Sequence, residues 1–347
     1  MAQYDFVIAG AGPAGSVFAL LAARAGYRVL LAEKSRFDKS RFGEIAPPEL
    51  RLVLARVGLQ YLADEPFCCD APAALSVWGG DQPKCRQHIL SPYGPALRID
   101  RRLFDEELAL AAREAGADLK LGGAVRFVPH PRGGYIAELS NGGEARAQIS
   151  VLATGRGGGG FGLPYVRRYL DDNVLRWWLE ALARTKVIQQ VLDGCPLPRT
   201  LSVTNARGSY AQKGIGNQWV AIGDSRIAPD PLSGLGIIWA IDDAILVVHL
   251  FSRMKWQRLS AEMDARTVRD VEAYSLDHAR TYATELRFNN SQFWNSVLLS
   301  EVLTSQKDIS LDLDSESSGK HATRLPISTM LARSAGGTPQ HAGCCIA

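Results

Sequence analysis

Tyr4-Asp-Phe-Val-Ile-Ala-Gly10-Ala-Gly-Pro-Ala-Gly15-Ser-Val-Phe-Ala-Leu-Leu-Ala-Ala-Arg-Ala-Gly26 is the stretch whose reading decides the fold. The short run Asp5–Ala9 fits a strand of a parallel sheet, buried on both faces. Glycines then cluster from Gly10 to Gly15. Ser16–Ala25 has a helical pattern, and Gly26 stops it, because glycine takes the backbone conformation that closes a helix. A second apolar run, Arg28–Ala32, ends at Glu33. Strand, glycine turn, helix and strand within about thirty residues make a βαβ unit.

The turn has the form Gly-x-Gly-x-x-Gly, made of Gly10, Ala11, Gly12, Pro13, Ala14 and Gly15. It follows a strand and opens a helix, the context a dinucleotide fingerprint requires. Gly10 permits the tight turn, Gly12 lets the backbone approach a pyrophosphate, and Gly15 lets helix and strand pack closely. The helix N-terminus offers free N–H groups and a positive dipole end to the phosphates. Glu33, at the end of the second strand, is placed to accept hydrogen bonds from an adenosine ribose.

Far along the chain, Trp219-Val-Ala-Ile-Gly-Asp224 leads into Asp230-Pro-Leu-Ser-Gly-Leu-Gly236. A buried strand delivers Gly223 and Asp224 to its C-terminal end, where the carboxylate can accept from a ribityl hydroxyl. Pro231, Gly234, Leu235 and Gly236 form a loop whose backbone can lie against a flat ring. The next helix then puts positive potential near the edge of that ring. A ribityl chain and a flat ring mark the cofactor as FAD rather than NAD.

These residues resemble the FAD-dependent monooxygenase and tryptophan halogenase superfamily, with the para-hydroxybenzoate-hydroxylase-type fold. Further matches follow in the same order. Arg98-Ile-Asp-Arg-Arg-Leu-Phe-Asp105 resembles the segment in which an arginine, here Arg101, reaches the pyrophosphate. Ala124-Val125 resembles the strand whose backbone meets the adenine, and Val151-Leu-Ala-Thr-Gly155-Arg156 resembles a segment near the flavin. Lys34 and Arg41 are candidate phosphate neighbours, or members of a solvated loop. Arg41-Phe-Gly-Glu44 before Pro47-Pro48 is similar to the Gly-Glu-Ser loop of tryptophan halogenases, with Ile45 in place of the serine. Asp230-Pro-Leu-Ser-Gly234, Val77-Trp-Gly79 and Phe293-Trp294 resemble one branch, the flavoproteins that mature protein-derived tryptophylquinone cofactors.

The resemblance implies a Rossmann-type, glutathione-reductase-like FAD-binding domain of residues 1–70, 95–160 and 216–260. It implies an inserted, reduced substrate or cover region of 71–94 and 161–215, then C-terminal helices over 261–305. Residues 306–347, rich in Ser, Thr, Gly and His, read as a mobile tail. The activity implied is monooxygenation: NADH or NADPH docks transiently to reduce the flavin, and oxygen is used to hydroxylate an aromatic ring. The substrate implied is a tryptophan within a partner polypeptide, ahead of a small phenol or indole. Two departures set the chain apart from halogenases. No lysine stands near Val77, the nearest being Lys84 in a polar turn, and no Trp-x-Trp-x-Ile-Pro segment occurs. A third departure is the interval 157–218. It reads as a glycine run and one long helix over Asp171–Leu192, where the superfamily has a sheet roofing the substrate. Two alternatives stay open: a flavin-dependent reductase of the geranylgeranyl-reductase type, and an FAD-stabilised partner or chaperone without catalysis.

Composition narrows the field. The 347 residues are 46% hydrophobic and 22% charged, with a net charge of +3 and no long basic run, which gives no footprint for nucleic-acid binding. No apolar run reaches the length of a membrane span, and the N-terminus has no leader pattern, so a cytoplasmic location is expected. The cysteines (Cys68, Cys69, Cys85, Cys195, Cys344 and Cys345) form no Cys-x-x-Cys pair and read as reduced thiols, with no metal site. Cys344-Cys345-Ile-Ala347 fits a prenylation box formally, without a polybasic neighbour. His88 and His130 read as surface histidines before acid–base groups. Trp78 suits a substrate pocket and a core equally, as the pair Trp177-Trp178 suits a partner surface and a core. No catalytic side chain is singled out.

Overall fold

The apolar runs of the first half and the Trp219 run meet in a single sheet. The computed structural model describes residues 1–39, 41, 44–88, 90–158, 174–196, 206, 208–211, 213–288, 290–291, 294 and 324–326. Strand β1 (Ala2–Ala9) lies between β2 (Val29–Glu33) and β11 (Glu144–Leu152), parallel to both. Outside β2 lies β8 (Asp118–Leu121), and outside β11 lies β14 (Trp219–Ala221), again parallel. The register sets Phe6 opposite Val29, Ile8 opposite Val151, and Val151 opposite Val220. A hairpin of β9 (Val125–Pro129) and β10 (Tyr135–Leu139) pairs antiparallel with the start of β11, and β13 (Ile215–Gly216) caps the other edge. Asn141-Gly142, a dipeptide suited to a tight hairpin, forms the turn that joins β10 to β11.

The period of two along β1 separates the faces. Phe6 and Ile8 enter the main core against helix α1 (Pro13–Arg24), while Val7 enters a second core with Tyr135, Ala147 and Trp219 under the β9–β10 hairpin. Helix α3 (Arg101–Glu114) and helix α6 (Gly236–Phe251) flank α1 on the first face. Phe6, Phe18 and Phe251 meet edge-on there, with ring centroids 5.1–6.3 Å apart. Asp100 starts α3 by accepting from the backbone N–H groups of Arg102 (2.9 Å) and Leu103 (3.3 Å). Asp100→Ala is expected to cost about 1 kcal/mol, read as a lowered denaturant midpoint at unchanged slope.

Several elements depart from the expected ones. Residues 71–80, whose sequence Ala71–Gly80 reads as a strand, do not form one strand. Pro72 has no N–H to give a ladder, and the segment divides into β4 (Cys68–Ala71) and β5 (Ala73–Ser76). Lys84 begins β6 (Lys84–Gln87), paired with β5, and does not sit in a turn. The loop 34–48 contains β3 (Glu44–Ala46), which joins β7 (Ala96–Ile99) and β4 in a small sheet. The helix expected over 171–192 is two pieces, α4 (Val174–Leu182) and α5 (Val187–Val191), interrupted at 183–186 where Thr185 bonds back to the Leu182 carbonyl. Of the C-terminal helices expected over 261–305, the described residues contain α7 (Trp256–Ala283), which starts earlier and ends well before 305. Thr284 and Glu285 turn the chain out of it by bonding to the Trp78–Gly79 segment. Between α5 and β13, β12 (Ser209–Ala211) pairs with β15 (Ile227–Ala228) and with β16 (Arg324–Pro326). Phe42, Gly43, Phe293, Cys344, Cys345 and, apart from Arg324–Pro326, the rest of 306–347 lie outside the described residues. Among the described residues no helix is long and apolar enough to cross a membrane. Cys68, Cys69, Cys85 and Cys195 are free thiols, and burial pushes the Cys68 thiol up to about 12, leaving it protonated.

Candidate cofactor site

The C-terminal ends of β1, β2, β11 and β14 lie side by side, the place where open parallel sheets bind ligands. A cavity of about 900 Å³ opens there. Gly10, Gly12, Pro13 and Ala14 line it from the first turn, and Glu33, Lys34 and Arg41 from the end of β2 and the loop beyond. Arg101 lines it from α3, Val125 from β9, Gly155 from the end of β11, and Asp224, Pro231, Gly234 and Gly236 from the last motif. Residues scattered over the chain thus face one space, at the upper end of the range for small-molecule sites.

Four of the expected residues do not face it. Ala11 is buried, and its N–H donates to Glu33 Oε2 (2.9 Å). Gly15 serves packing, since a Cβ there would stand 1.9 Å from the Gly10 carbonyl oxygen. Gly223 takes φ +57°, and a Cβ there would stand 2.8 Å from the Ala14 Cβ. Leu235 turns to a different cavity. Gly12 is the opposite case: a Cβ there would meet no atom within 4 Å. The Gly12 cap carries no side-chain hydrogen bond, so the first N–H groups of α1 point at open space. This vacant approach to an uncapped helix N-terminus fits a pyrophosphate.

Glu33 is buried and accepts from Ala11 N, Ser35 N (3.1 Å), Ser35 Oγ (2.8 Å) and Arg41 Nη2 (3.4 Å). Beside it runs a row of alternating charge. Arg41 Nη1 donates to Asp105, and Arg101 grips both Asp105 oxygens (3.0 and 3.1 Å) and Glu44. Asp105 is fully buried. Burial alone would lower the Arg101 pKa, but Asp105 and Glu44 outweigh it and push it up. Asp105 therefore fixes the aim of both arginines at the cavity. The i,i+4 spacing of Arg101 and Asp105 is local to α3, but nothing in the sequence shows that Arg41, 64 residues away, converges on the same carboxylate.

At the other end, Arg156 pairs with Asp224 (3.1 Å) and donates to the Pro229 carbonyl. The turn bearing Asp224 is bolted to α6: Asp243 accepts from Gly223 N (2.9 Å) and from Arg226 Nε (3.0 Å) and Nη2 (2.8 Å). Asp230 caps its own loop through Leu232 N (2.7 Å), accepts from the Tyr282 hydroxyl (3.0 Å), and donates its N–H to the Tyr274 hydroxyl (2.7 Å). Burial, then Asp230, pushes the Tyr282 hydroxyl up, so it stays a donor at neutral pH.

His88 is buried and faces neither cavity, which corrects the surface reading. His130 shapes its own turn by accepting from Arg132 N (3.1 Å). Trp78 lines neither cavity. Its indole N–H donates to Thr284 Oγ1 (2.9 Å) and the Thr281 carbonyl (3.1 Å), against the end of α7. Trp177 is 57% exposed on α4. Gly79 N donates to Glu285 (3.0 Å). The Arg287 guanidinium holds the Glu285 carboxyl down from 4.5 to about 2. The folded pKa is depressed, so the clasp's contribution is complete above pH 4.5 and is lost as pH falls toward 2. Acid titration of tryptophan fluorescence is expected to show a step from Trp78 in that window, and Glu285→Gln is expected to remove it.

No protein-family model matches the chain. A curated relative, LodB of Marinomonas mediterranea, is named an FAD-dependent oxidoreductase in provisional terms. It is 25% identical over 360 residues, covering 85% of this chain and 96% of LodB. The myxobacterial chondrochloren halogenase CndH, an FAD-dependent halogenase, superposes with a TM-score of 0.74 at 20% identity over 86% of each chain. QhpG, a peptidyl tryptophan dihydroxylase essential for tryptophylquinone cofactor biogenesis, superposes with a TM-score of 0.70 at 20% identity. That match covers 85% of this chain and 79% of QhpG. The chain has the fold of these flavoenzymes, and the likeness read from its motifs extends over most of its length.

Proposed function

We propose that the chain is an FAD-dependent oxidoreductase of the monooxygenase type that hydroxylates an aromatic ring, a tryptophan within a partner polypeptide. The observation that carries this reading is the single cavity joining the glycine turn, the Arg41–Asp105–Arg101 row, Val125, and the Asp224–Gly236 segment. Gly12 and the start of α1 would seat the pyrophosphate, with Arg41 and Arg101 as its counter-charges. Glu33 would take the adenosine ribose, Val125 the adenine edge, and Asp224 the ribityl chain. The Pro231–Gly236 loop and the start of α6 would lie against the ring. Bound FAD, reduced by NADH or NADPH, supplies the oxygen-activating chemistry. Overall, a ring C–H, O2, NAD(P)H and a proton give a ring C–OH, water and NAD(P)+. The peptidyl substrate of QhpG supports a tryptophan in a polypeptide over a free aromatic. On this reading residues 1–70, 95–160 and 216–260 form the cofactor domain, and 71–94 with 161–215 cover the substrate.

The test is anaerobic titration of the FAD-loaded protein with NADH and NADPH, followed by oxygen and a tryptophan-bearing partner polypeptide. Bleaching of the flavin band and an added oxygen on a partner tryptophan, read by peptide mass spectrometry, are expected. A protein that takes up no FAD refutes the cofactor assignment. A flavin that bleaches yet returns only hydrogen peroxide, with every tryptophan intact, refutes the hydroxylase assignment and leaves the cofactor assignment standing.

A further inference from the structure

A second cavity, of about 280 Å³, lies across the Asp230–Leu235 loop from the large one. The loop is the partition: Pro231 and Gly234 face the large cavity, Leu232, Ser233 and Leu235 face the small one, and Asp230 borders both. The opposite wall is a stripe of α7 at helical spacing, including Asp270, Tyr274, Asp277, His278 and Tyr282.

Two properties of the lining select a ligand. Aromatic rings follow one another along the wall: Trp239 edge-on to Tyr274 at 6.3 Å, Tyr274 tilted to His278 at 5.6 Å, and His278 stacked on Tyr282 at 4.2 Å between centroids. The charge is unbalanced. Asp230, Asp242, Asp270 and Asp277 line the space, with Arg226 and Arg266 as its cations. Arg226 is spent on Asp243 and Asp270, Arg266 lies 3.4 Å from Asp270, and Arg56 takes Asp242. Counting Asp243 and Arg56, which sit behind the lining, leaves the same excess of two negative charges. Asp277 makes no hydrogen bond or ion pair among the described residues. We propose that this cavity binds an organic cation, an alkylammonium or guanidinium group, against the aromatic wall of Tyr274, His278 and Tyr282 with Asp277 as its counter-ion. The volume, just below the usual range for small-molecule sites, suits a group the size of a lysine or arginine side chain and no second nucleotide. The inference goes beyond the proposed activity and does not depend on it: Leu232, Ser233 and Leu235 belong to the shared partition, whereas Tyr274, Asp277, His278 and Tyr282, on which the inference rests, have no part in the cofactor assignment.

The shared chemistry has two sources, a free amine or a basic side chain of a polypeptide. The test is calorimetric titration of the full chain with butylammonium, N-acetyl-lysine methylamide and N-acetyl-arginine methylamide, with N-acetyl-norleucine methylamide as the neutral isostere. The cations are expected to bind at least about tenfold more tightly than the isostere. Butylammonium equal to the blocked residues identifies a free amine, and tighter blocked residues identify a polypeptide side chain. Asp277→Asn, at a half-exposed position, is expected to weaken the cations about fivefold and leave the isostere unchanged. His278→Leu is expected to weaken them similarly by removing one aromatic face. Circular dichroism and the thermal midpoint establish that each protein is folded. Equal binding of cation and isostere, no binding of any cation to the folded parent, or parent-like affinity in both folded variants overturns the proposal.

Discussion

Gly12→Val is expected to leave the protein folded and to weaken FAD binding by at least about a hundredfold, or roughly 2.7 kcal/mol. A Cβ at this position meets nothing within 4 Å, and the backbone is at φ −80°, open to any residue. Valine is a poorer helix cap than glycine, which costs the fold about 1 kcal/mol. The isopropyl group would occupy the space where the proposed pyrophosphate approaches the first N–H groups of α1. The neighbouring glycine behaves in the opposite way. Gly15→Ala drives a methyl group to 1.9 Å from the Gly10 carbonyl, so it damages the fold before any ligand is considered. Thermal unfolding without added FAD, and titration of flavin fluorescence with each variant, separate the two cases. A Gly12→Val protein that binds FAD as the parent does would remove the pyrophosphate from this turn.

Arg226→Leu is expected to destabilise the fold by about 3–5 kcal/mol, the loss typical when one member of a buried ion pair is removed. Arg226 and Asp243 are 3% and 1% exposed, and their two-pronged contact is the bolt between the Gly223–Asp224 turn and α6. Removing the guanidinium leaves the Asp243 carboxylate buried with Gly223 N as its remaining close donor, apart from Arg266 at 4.0 Å. Asp243→Leu leaves the opposite charge, softened by Asp270 at 2.8 Å, so its loss is expected to be smaller. The double replacement with leucine removes both charges, and is expected to be more stable than Arg226→Leu alone. Urea unfolding of the four proteins tests this. Additive losses in the double variant would mean that the two side chains do not act as a pair.

What could be read from the residues follows from how local each signal is. The glycine turn was legible because φ and close packing at Gly10 and Gly15 are demanded within a few residues of chain. The sheet strands were legible as apolar runs, since burial on both faces leaves no polar alternation. The aims of Arg41 and Arg101 were not legible in full: Arg101 and Asp105 stand at i,i+4 on one helix, but Asp105 reaches Arg41, and Glu44 reaches Arg101, between segments brought together only in the folded chain. Leu235 illustrates the limit of a motif: its neighbours Gly234 and Gly236 face the large cavity, and it faces the small one. The small sheet of β3, β7 and β4 was missed because strands of three or four residues carry too few positions for a period to show. The end of α7 was misplaced for a related reason. It is set by Trp78 and Gly79, some two hundred residues earlier, and by no glycine or proline at the helix end.

The order of strands in the main sheet also bears on how the chain is made. The large cavity takes its walls from positions near 10, 33, 101, 125, 155, 224 and 236, and the last parallel strand at the cavity, β14, is also late in the chain. A polypeptide still emerging from the ribosome can form β1, α1 and β2 early and display the glycine turn. It has no far wall until residue 236 has cleared the exit tunnel. On the proposed function, capture of FAD would therefore be a late event of synthesis, and chains arrested before that point would carry a half-built pocket.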